Sequence, residues 1–138
     1  GMADEILKTI YRDYLPMLAE GATTVWETFP GALPEMAPFP TRSHCHGWSA
    51  APLYFLPRLV LGLRMTRPGG AAFAVSPLTD TLSYASGTRR TVRGPVTVCW
   101  RKTGDELLIE VSGPADTELH YEANPTHAPY RVHFRRRD

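Results

Sequence analysis

The chain has 138 residues, which is room for one ordinary domain or for a small domain with an appendage. Apolar residues make up 43% of it, so the composition predicts a packed core and excludes a disordered chain. The 15 basic and 14 acidic side chains nearly cancel, and this balance gives no electrostatic case for nucleic acid or an anionic membrane as a partner.

The cysteine count and the targeting signals indicate the cellular compartment of the protein. Cys45 and Cys99 are too few for a disulfide framework, and we expect both to be reduced. No signal peptide and no apolar run of membrane-spanning length is visible. The sequence therefore predicts a cytoplasmic protein without a membrane partner.

The first predicted element is a helix over residues 4–20. Apolar side chains follow one helical face at Ile6, Ile10, Tyr14 and Met17. Pro16 lacks an N–H group and predicts a kink or a fresh turn. Gly21 suits the position that ends the helix.

A proline-rich loop and a second helix are predicted next. Residues 22–46 show no regular spacing of apolar residues, which predicts a loop. A long loop in a compact domain is usually functional. Residues 48–63 are the most apolar stretch, which predicts a helix with Ser49 as N-cap and a bend at Pro57. A helix that is apolar nearly all round is expected to be buried on all sides.

From residue 71 onward the sequence consists of short runs in which apolar and polar residues alternate. Val96, Val98 and Trp100 alternate with polar residues, a turn follows at 103–105, and residues 107–111 continue at period two. This pattern predicts a hairpin. Further short runs bring the total to about six or seven strands, which indicates an antiparallel β-sandwich. The basic residues 135–137 are interpreted as a solvated, frayed tail.

The predicted fold class is therefore α+β. Two N-terminal helices enclose a long loop and precede the antiparallel β-sandwich, with a division expected between residues 1–66 and 67–138. Since the first helix alone cannot cover an apolar second helix on all sides, the two helices look like a remnant of something larger.

Two segments carry chemistry. Residues 21–27, GATTVWE, place the carboxylate of Glu27 beside the indole of Trp26. A carboxylate there can act as a base, although a surface glutamate next to a packed tryptophan is the simpler interpretation. Residues 43–52, SHCHGWSAAP, contain His44 and His46, but one H-x-H pair without a third ligand is a weak metal signal.

These two segments in this order resemble the end of the catalytic domain of the α-L-rhamnosidases, glycoside hydrolase family 78. The residues that follow resemble the linker and sandwich strands of the same family, up to about residue 123. The resemblance implies that residues 1–66 are the last helices and active-site loop of an (α/α)6 barrel. Residues 67–138 then correspond to the C-terminal β-sandwich, and residues 124–138 are expected to form an extra edge strand or a subunit contact.

The resemblance also implies roles for individual residues. The family inverts the anomeric centre with two carboxyl groups roughly 6.5–9.5 Å apart. By match, Glu27 is the general base and His46 contacts the bound sugar. Trp26 and Trp48 are assigned to the wall of the pocket. The ligand is expected to be an α-L-rhamnoside or another saccharide, with no metal or organic cofactor.

The family's general acid lies upstream of the matched region. We therefore expect a C-terminal fragment of an inverting glycosidase that is inactive alone, and that forms a homo-oligomer or joins a partner supplying the missing barrel. Two alternatives stay open at this point: a stand-alone carbohydrate-binding sandwich, and a complementing subunit of a split enzyme.

Overall fold

The computed structural model describes residues 2–29 and 41–137 and divides the chain into two compact units, Gly1–Tyr54 and Phe55–Asp138. Helical segments dominate the first unit and strands the second, so the predicted α+β fold is confirmed. The proline-rich part of the predicted loop, residues 30–40, lies outside the described residues.

Helix α1 spans Met2–Ala19 and runs unbroken through Pro16, so the predicted fresh turn does not form. The proline lies near the end of the helix and removes one backbone donor there. Gly21 ends the helix with a φ of 82°, as predicted. Its N–H donates to the carbonyl of Leu18 at 3.0 Å, and the N–H of Ala22 donates to Met17 at 3.2 Å, which satisfies two carbonyls of the last turn.

The single helix predicted over residues 48–63 is wrong. The chain forms a 3₁₀ turn at Gly47–Ala50, a short helix α2 at Pro52–Phe55 and a π-helical turn at Leu56–Val60. Two prolines remove N–H donors here and prevent a long ladder of hydrogen bonds. The expected burial on all sides is also absent, because Leu53 is 76% exposed.

Within the described residues, seven strands form two sheets. The strands are β1 Leu63–Arg67, β2 Ala72–Val75, β3 Tyr84–Thr91, β4 Gly94–Thr103, β5 Glu106–Ser112, β6 Glu118–Tyr121 and β7 Arg131–Arg136. The sheet orders are β1-β2-β6 and β3-β4-β5-β7. The pairs β2·β6 and β5·β7 are parallel and the others antiparallel. Strand β1 runs across the expected division between residues 66 and 67.

The two sheets enclose the apolar core. Strands β4 and β5 alternate as predicted, with Val96, Val98 and Trp100 buried in β4 and residues 107, 109 and 111 buried in β5. The largest core side chain, Trp100, is fully buried and donates its indole N–H to the carbonyl oxygen of Val60 at 2.6 Å. Side chains from both sheets meet it in one cluster: Leu63, Phe73, Val75, Val96, Val98, Leu107, Ile109 and Val111.

The C-terminal basic residues are not a frayed tail, which corrects the sequence interpretation. Arg135 and Arg136 belong to β7, the edge strand that the sequence suggested for this region. Arg137 forms a bidentate ion pair with Glu110. Arg136 donates to three carbonyl oxygens, those of Gly113, Pro114 and Thr117. The Arg136 guanidinium thus satisfies three backbone carbonyls of the segment that follows β5.

Both cysteines, exposed Cys45 and partly buried Cys99, carry free thiols, as predicted. Among residues 2–29 and 41–137, no helix is long and apolar enough to cross a membrane.

Candidate active site

Backbone hydrogen bonds join the two sequence motifs side by side. The N–H of His46 donates to the carbonyl of Val25 at 2.8 Å, and the N–H of Glu27 donates to the carbonyl of Ser43 at 2.9 Å. The N–H of Thr28 donates to the hydroxyl of Thr41 at 3.1 Å. The two segments therefore run antiparallel to one another and bring the regions of Glu27 and His46 together.

Helix α1 holds both segments in place. The backbone N–H of Trp26 contacts the thioether of Met17 at 3.3 Å, and both side chains are buried. The hydroxyl of Tyr14 donates to the carbonyl of Ser49 at 2.6 Å. Desolvation raises the pKa of Tyr14, with a smaller contribution from the charge of Asp13, so this hydroxyl stays a protonated donor at neutral pH.

Glu27 is partly buried. Among the residues that the structure describes, no side chain forms a hydrogen bond or an ion pair with it. A carboxylate without a cation partner is available to accept a proton from a water molecule.

His46 and Trp48 lie next to each other at the start of the 3₁₀ turn. Their ring centroids are 6.4 Å apart, with planes inclined by 51°. His46 is partly buried, whereas Trp48 is 92% exposed. An exposed indole beside an imidazole offers an apolar face and a polar group to a ligand.

One depression in the described part of this unit lies on a different set of residues. A depression of about 380 Å³ is lined by Glu20, Gly21, Ala22, Thr23, Thr24, Trp26 and His44. Trp26 thus lines a depression, but Glu27, His46 and Trp48 do not line it. The rings of Trp26 and His44 are 4.9 Å apart. Glu20, Thr23 and Thr24 also line the depression, although as polar residues around a predicted helix end they carry no distinctive sequence signal.

His44 and His46 are the pair that the sequence offers as candidate metal ligands. Over residues 2–29 and 41–137, no group of three or more potential ligand side chains of histidine, cysteine, aspartate or glutamate is assembled.

Comparison with protein families identifies both parts of the chain. Residues 2–60 match the bacterial alpha-L-rhamnosidase 6 hairpin glycosidase domain. Residues 62–132 match the bacterial alpha-L-rhamnosidase C-terminal domain. The fold and the motifs thus define a class of protein in which a helical glycosidase segment precedes a β-sandwich. The chain belongs to the bacterial α-L-rhamnosidases of glycoside hydrolase family 78.

Solved structures show the same likeness. The family 78 rhamnosidase of Bacillus sp. GL1 is 30% identical, with a TM-score of 0.77 over 94% of this chain and 14% of that one. The α-L-rhamnosidase of Dictyoglumus thermophilum is 27% identical, with a TM-score of 0.59 over 76% of this chain and 12% of that one.

A third structure, Streptomyces avermitilis α-L-rhamnosidase complexed with L-rhamnose, shares the fold at 20% identity, with a TM-score of 0.61 over 76% of this chain and 10% of that one. The chain therefore spans between 10% and 14% of the length of these relatives. No curated protein sequence matches the chain.

Proposed function

We propose that this chain forms the C-terminal part of an inverting α-L-rhamnosidase and that Glu27 is its general base. The observation that carries the proposal is the antiparallel pairing of the Glu27 segment with the His46 segment. Glu27 accepts a proton from water, whose oxygen forms a bond to the anomeric carbon. The glycosidic C–O bond breaks, and the leaving oxygen takes a proton from a general acid.

His46 and Trp48 are proposed to contact the sugar in this reaction. An imidazole both donates and accepts hydrogen bonds, which suits sugar hydroxyl groups. The 92% exposed indole of Trp48 suits the apolar face of a pyranose ring. Trp26 is 5% exposed, so its proposed contribution to the pocket wall is limited to the part that lines the depression.

We assign the general acid to a part of the catalytic domain outside these 138 residues. The chain spans 14% of the Bacillus sp. GL1 enzyme, and inversion requires a second carboxyl group roughly 6.5–9.5 Å from the base. General acid assistance is typically worth about 10²–10⁴-fold in rate. The chain alone is therefore proposed to be inactive toward α-L-rhamnosides.

The first unit is proposed to close a helical barrel and the second to be its C-terminal sandwich. A barrel partner or a second copy of the chain would cover the exposed side chains of Trp48 and Leu53. The free thiols of Cys45 and Cys99 support the proposed cytoplasmic location.

A chimeric enzyme tests the proposed function. Residues 2–137 replace the matching segment of the Bacillus sp. GL1 rhamnosidase, and the purified chimera is given an aryl α-L-rhamnoside. The expected result is hydrolysis, with nuclear magnetic resonance of the first-formed rhamnose showing the inverted anomer. A first product with retained configuration would overturn the inverting mechanism.

The 138-residue chain alone, assayed in parallel, is expected to release no aryl alcohol. Turnover by the chain alone that disappears in Glu27→Gln would show that it assembles both carboxyl groups by itself. Sugar binding without hydrolysis is the second candidate function, and the exposure of Trp48 favours it. Failure of the chimera to hydrolyse any rhamnoside, with saturable sugar binding retained by the chain, would support that alternative.

A further inference from the structure

A buried hydroxyl group lies between the two paired segments of the candidate active site. Thr41 is 5% exposed, although threonine side chains are mostly found at the protein surface. Its hydroxyl accepts hydrogen bonds from the backbone N–H and from the hydroxyl of Thr28, both at 3.1 Å. It donates to the carbonyl oxygen of Ser43, also at 3.1 Å. A hydroxyl has one proton to donate and two lone pairs, so Thr41 uses its full hydrogen-bonding capacity inside the protein.

The carbonyl oxygen of Ser43 connects this hydroxyl to Glu27. It accepts from the hydroxyl of Thr41 and also from the backbone N–H of Glu27, at 2.9 Å. A carbonyl oxygen has two lone pairs, and both are used here. The hydrogen bonds therefore form one continuous chain, which runs from the N–H of Glu27 through Ser43 and Thr41 to the N–H of Thr28.

The two N–H groups at the ends of this chain flank the Cα atom of Glu27. One belongs to the peptide unit before that atom and the other to the peptide unit after it. Because each peptide unit is planar, holding both N–H groups restricts the φ and ψ angles of Glu27. The direction of the Cα–Cβ bond follows from the backbone atoms around Cα, so the Glu27 side chain leaves the backbone in a defined direction.

We propose that Thr41 is a positioning residue for the general base, and that it acts through the backbone of Glu27 rather than through contact with the sugar. The inference rests on the proposed function, because it concerns how the base is held. A base accepts a proton only from a water molecule within hydrogen-bonding distance. A misplacement of about 1 Å can lower a rate about 10²-fold. The buried hydroxyl of Thr41 therefore contributes to kcat.

Amide hydrogen exchange of the ¹⁵N-labelled 138-residue chain tests the chain of hydrogen bonds without any assay of activity. The amides of Glu27 and Thr28 are expected to exchange at least about 10-fold more slowly than in an unfolded peptide. Thr41→Val removes the hydroxyl, keeps the shape and should speed exchange at Thr28 about 3- to 10-fold. Thr41→Ser keeps the hydroxyl and should retain the parent rates. Unprotected amides in the parent chain would overturn the proposal even if Thr41→Val does not fold, and so would equal exchange in a folded Thr41→Val and the parent.

Hydrolysis of the aryl α-L-rhamnoside by the chimera tests the effect on the proposed base, with kcat referred to the folded fraction measured by circular dichroism. Thr41→Val should lower kcat about 10-fold or more and change KM by less than about 2-fold. Thr41→Ser should keep at least about half of the parent kcat. Thr9→Val, the same substitution at an exposed position of α1, is the matched control and should keep both constants. A loss of kcat that matches the loss of folded protein would show that Thr41 has only a structural role.

Failure of this inference and failure of the proposed function give different results. If Glu27→Gln leaves hydrolysis by the chimera at the parent rate, the assignment of the base is wrong, and the role of Thr41 toward it fails as well. If Glu27→Gln abolishes hydrolysis but folded Thr41→Val keeps the parent kcat, Glu27 stays the base and only the positioning role is wrong.

Discussion

His46 donates its backbone N–H to the carbonyl oxygen of Val25 at 2.8 Å, and this bond joins two segments that the chain separates by a long proline-rich stretch. Buried backbone groups need partners, so each segment satisfies the other. Helix α1 supports the pair through Met17 and Tyr14. The position of Glu27 relative to His46 is therefore set by backbone hydrogen bonds rather than by flexible side chains.

The bond from the Trp100 indole to Val60 is predicted to be important for the stability of the second unit. Trp100→Phe leaves a buried carbonyl acceptor without its donor and removes part of a fully buried ring. We expect a loss of about 2–4 kcal/mol in the free energy of unfolding. Urea unfolding followed by far-ultraviolet circular dichroism measures it. Trp48→Phe, at a 92% exposed position, is the control and should change stability by less than about 0.5 kcal/mol.

Gly62 is predicted to tolerate no side chain. Its φ is 71°, and an added Cβ would lie 2.1 Å from the backbone nitrogen of Pro77. Gly69 has a similar φ of 68°, but open space surrounds it. Gly69→Ala should therefore cost about 1–2 kcal/mol from backbone strain alone. Gly62→Ala should cost more than about 3 kcal/mol or prevent folding, because backbone atoms must move. Equal urea midpoints for the two variants would refute this explanation.

The hydrogen bonds of Arg136 are predicted to stabilise the edge strand β7. Arg136→Gln removes three donors to backbone carbonyls at 2.8–3.1 Å. We expect a loss of about 1–2 kcal/mol and faster amide exchange in β7. Arg135→Gln removes the same charge from a side chain that makes no hydrogen bond or ion pair with the described residues. Matching exchange rates in the two variants would indicate a charge effect rather than the specific hydrogen bonds.

His127 is predicted to make the second unit sensitive to mild acid. Burial lowers the pKa of His127 below its usual 6.5, although the hydrogen bond to the carbonyl of Pro77 raises it in part. The neutral ring donates from Nε2 to Pro77 at 2.7 Å and contacts the hydroxyl of Tyr121 through Nδ1 at 2.9 Å. The folded state thus favours the neutral form. Stability is complete above pH 6.5 and is lost as the pH falls through the lowered pKa.

The urea midpoint measured from pH 8 to pH 5 by far-ultraviolet circular dichroism tests the role of His127. The midpoint is expected to fall below about pH 6.5 in the parent chain, and this fall should be smaller in His127→Gln. His133→Gln, whose side chain is 37% exposed, is the matched control and should retain the parent profile. A parent-like fall in His127→Gln would assign the pH dependence to other groups.

Local sequence patterns predict the central strands β4 and β5 correctly, but they miss strand β1 at the edge of the other sheet. A strand with one buried face alternates apolar and polar residues. The alternation at Val96, Val98 and Trp100 therefore predicts correctly that these side chains are buried. Strand β1 was missed because Leu63 is its single buried residue and the other four are exposed, so no alternation is present. The parallel placement of β6 and β7 depends on contacts distant in the chain, which local patterns do not encode.

The candidate site was predicted in part for similar reasons. The motifs around Glu27 and His46 were recognised in the sequence, and the structure places their backbones side by side. The depression next to them was not predicted, because Glu20 and Thr23 follow no period and resemble an ordinary helix end. The predicted second helix with a bend at Pro57 is instead three short helical segments, because Pro52 and Pro57 supply no backbone N–H group.

The most direct test of the central claim is the rate of aryl α-L-rhamnoside hydrolysis by the chimera carrying Glu27→Gln. Glutamine keeps the size of the side chain and cannot accept the proton from water. We predict that kcat falls by about 10²–10⁴-fold, while Glu106→Gln in the sandwich retains the parent kcat. A Glu27→Gln chimera that hydrolyses the substrate at the parent rate would contradict the assignment of Glu27 as the general base.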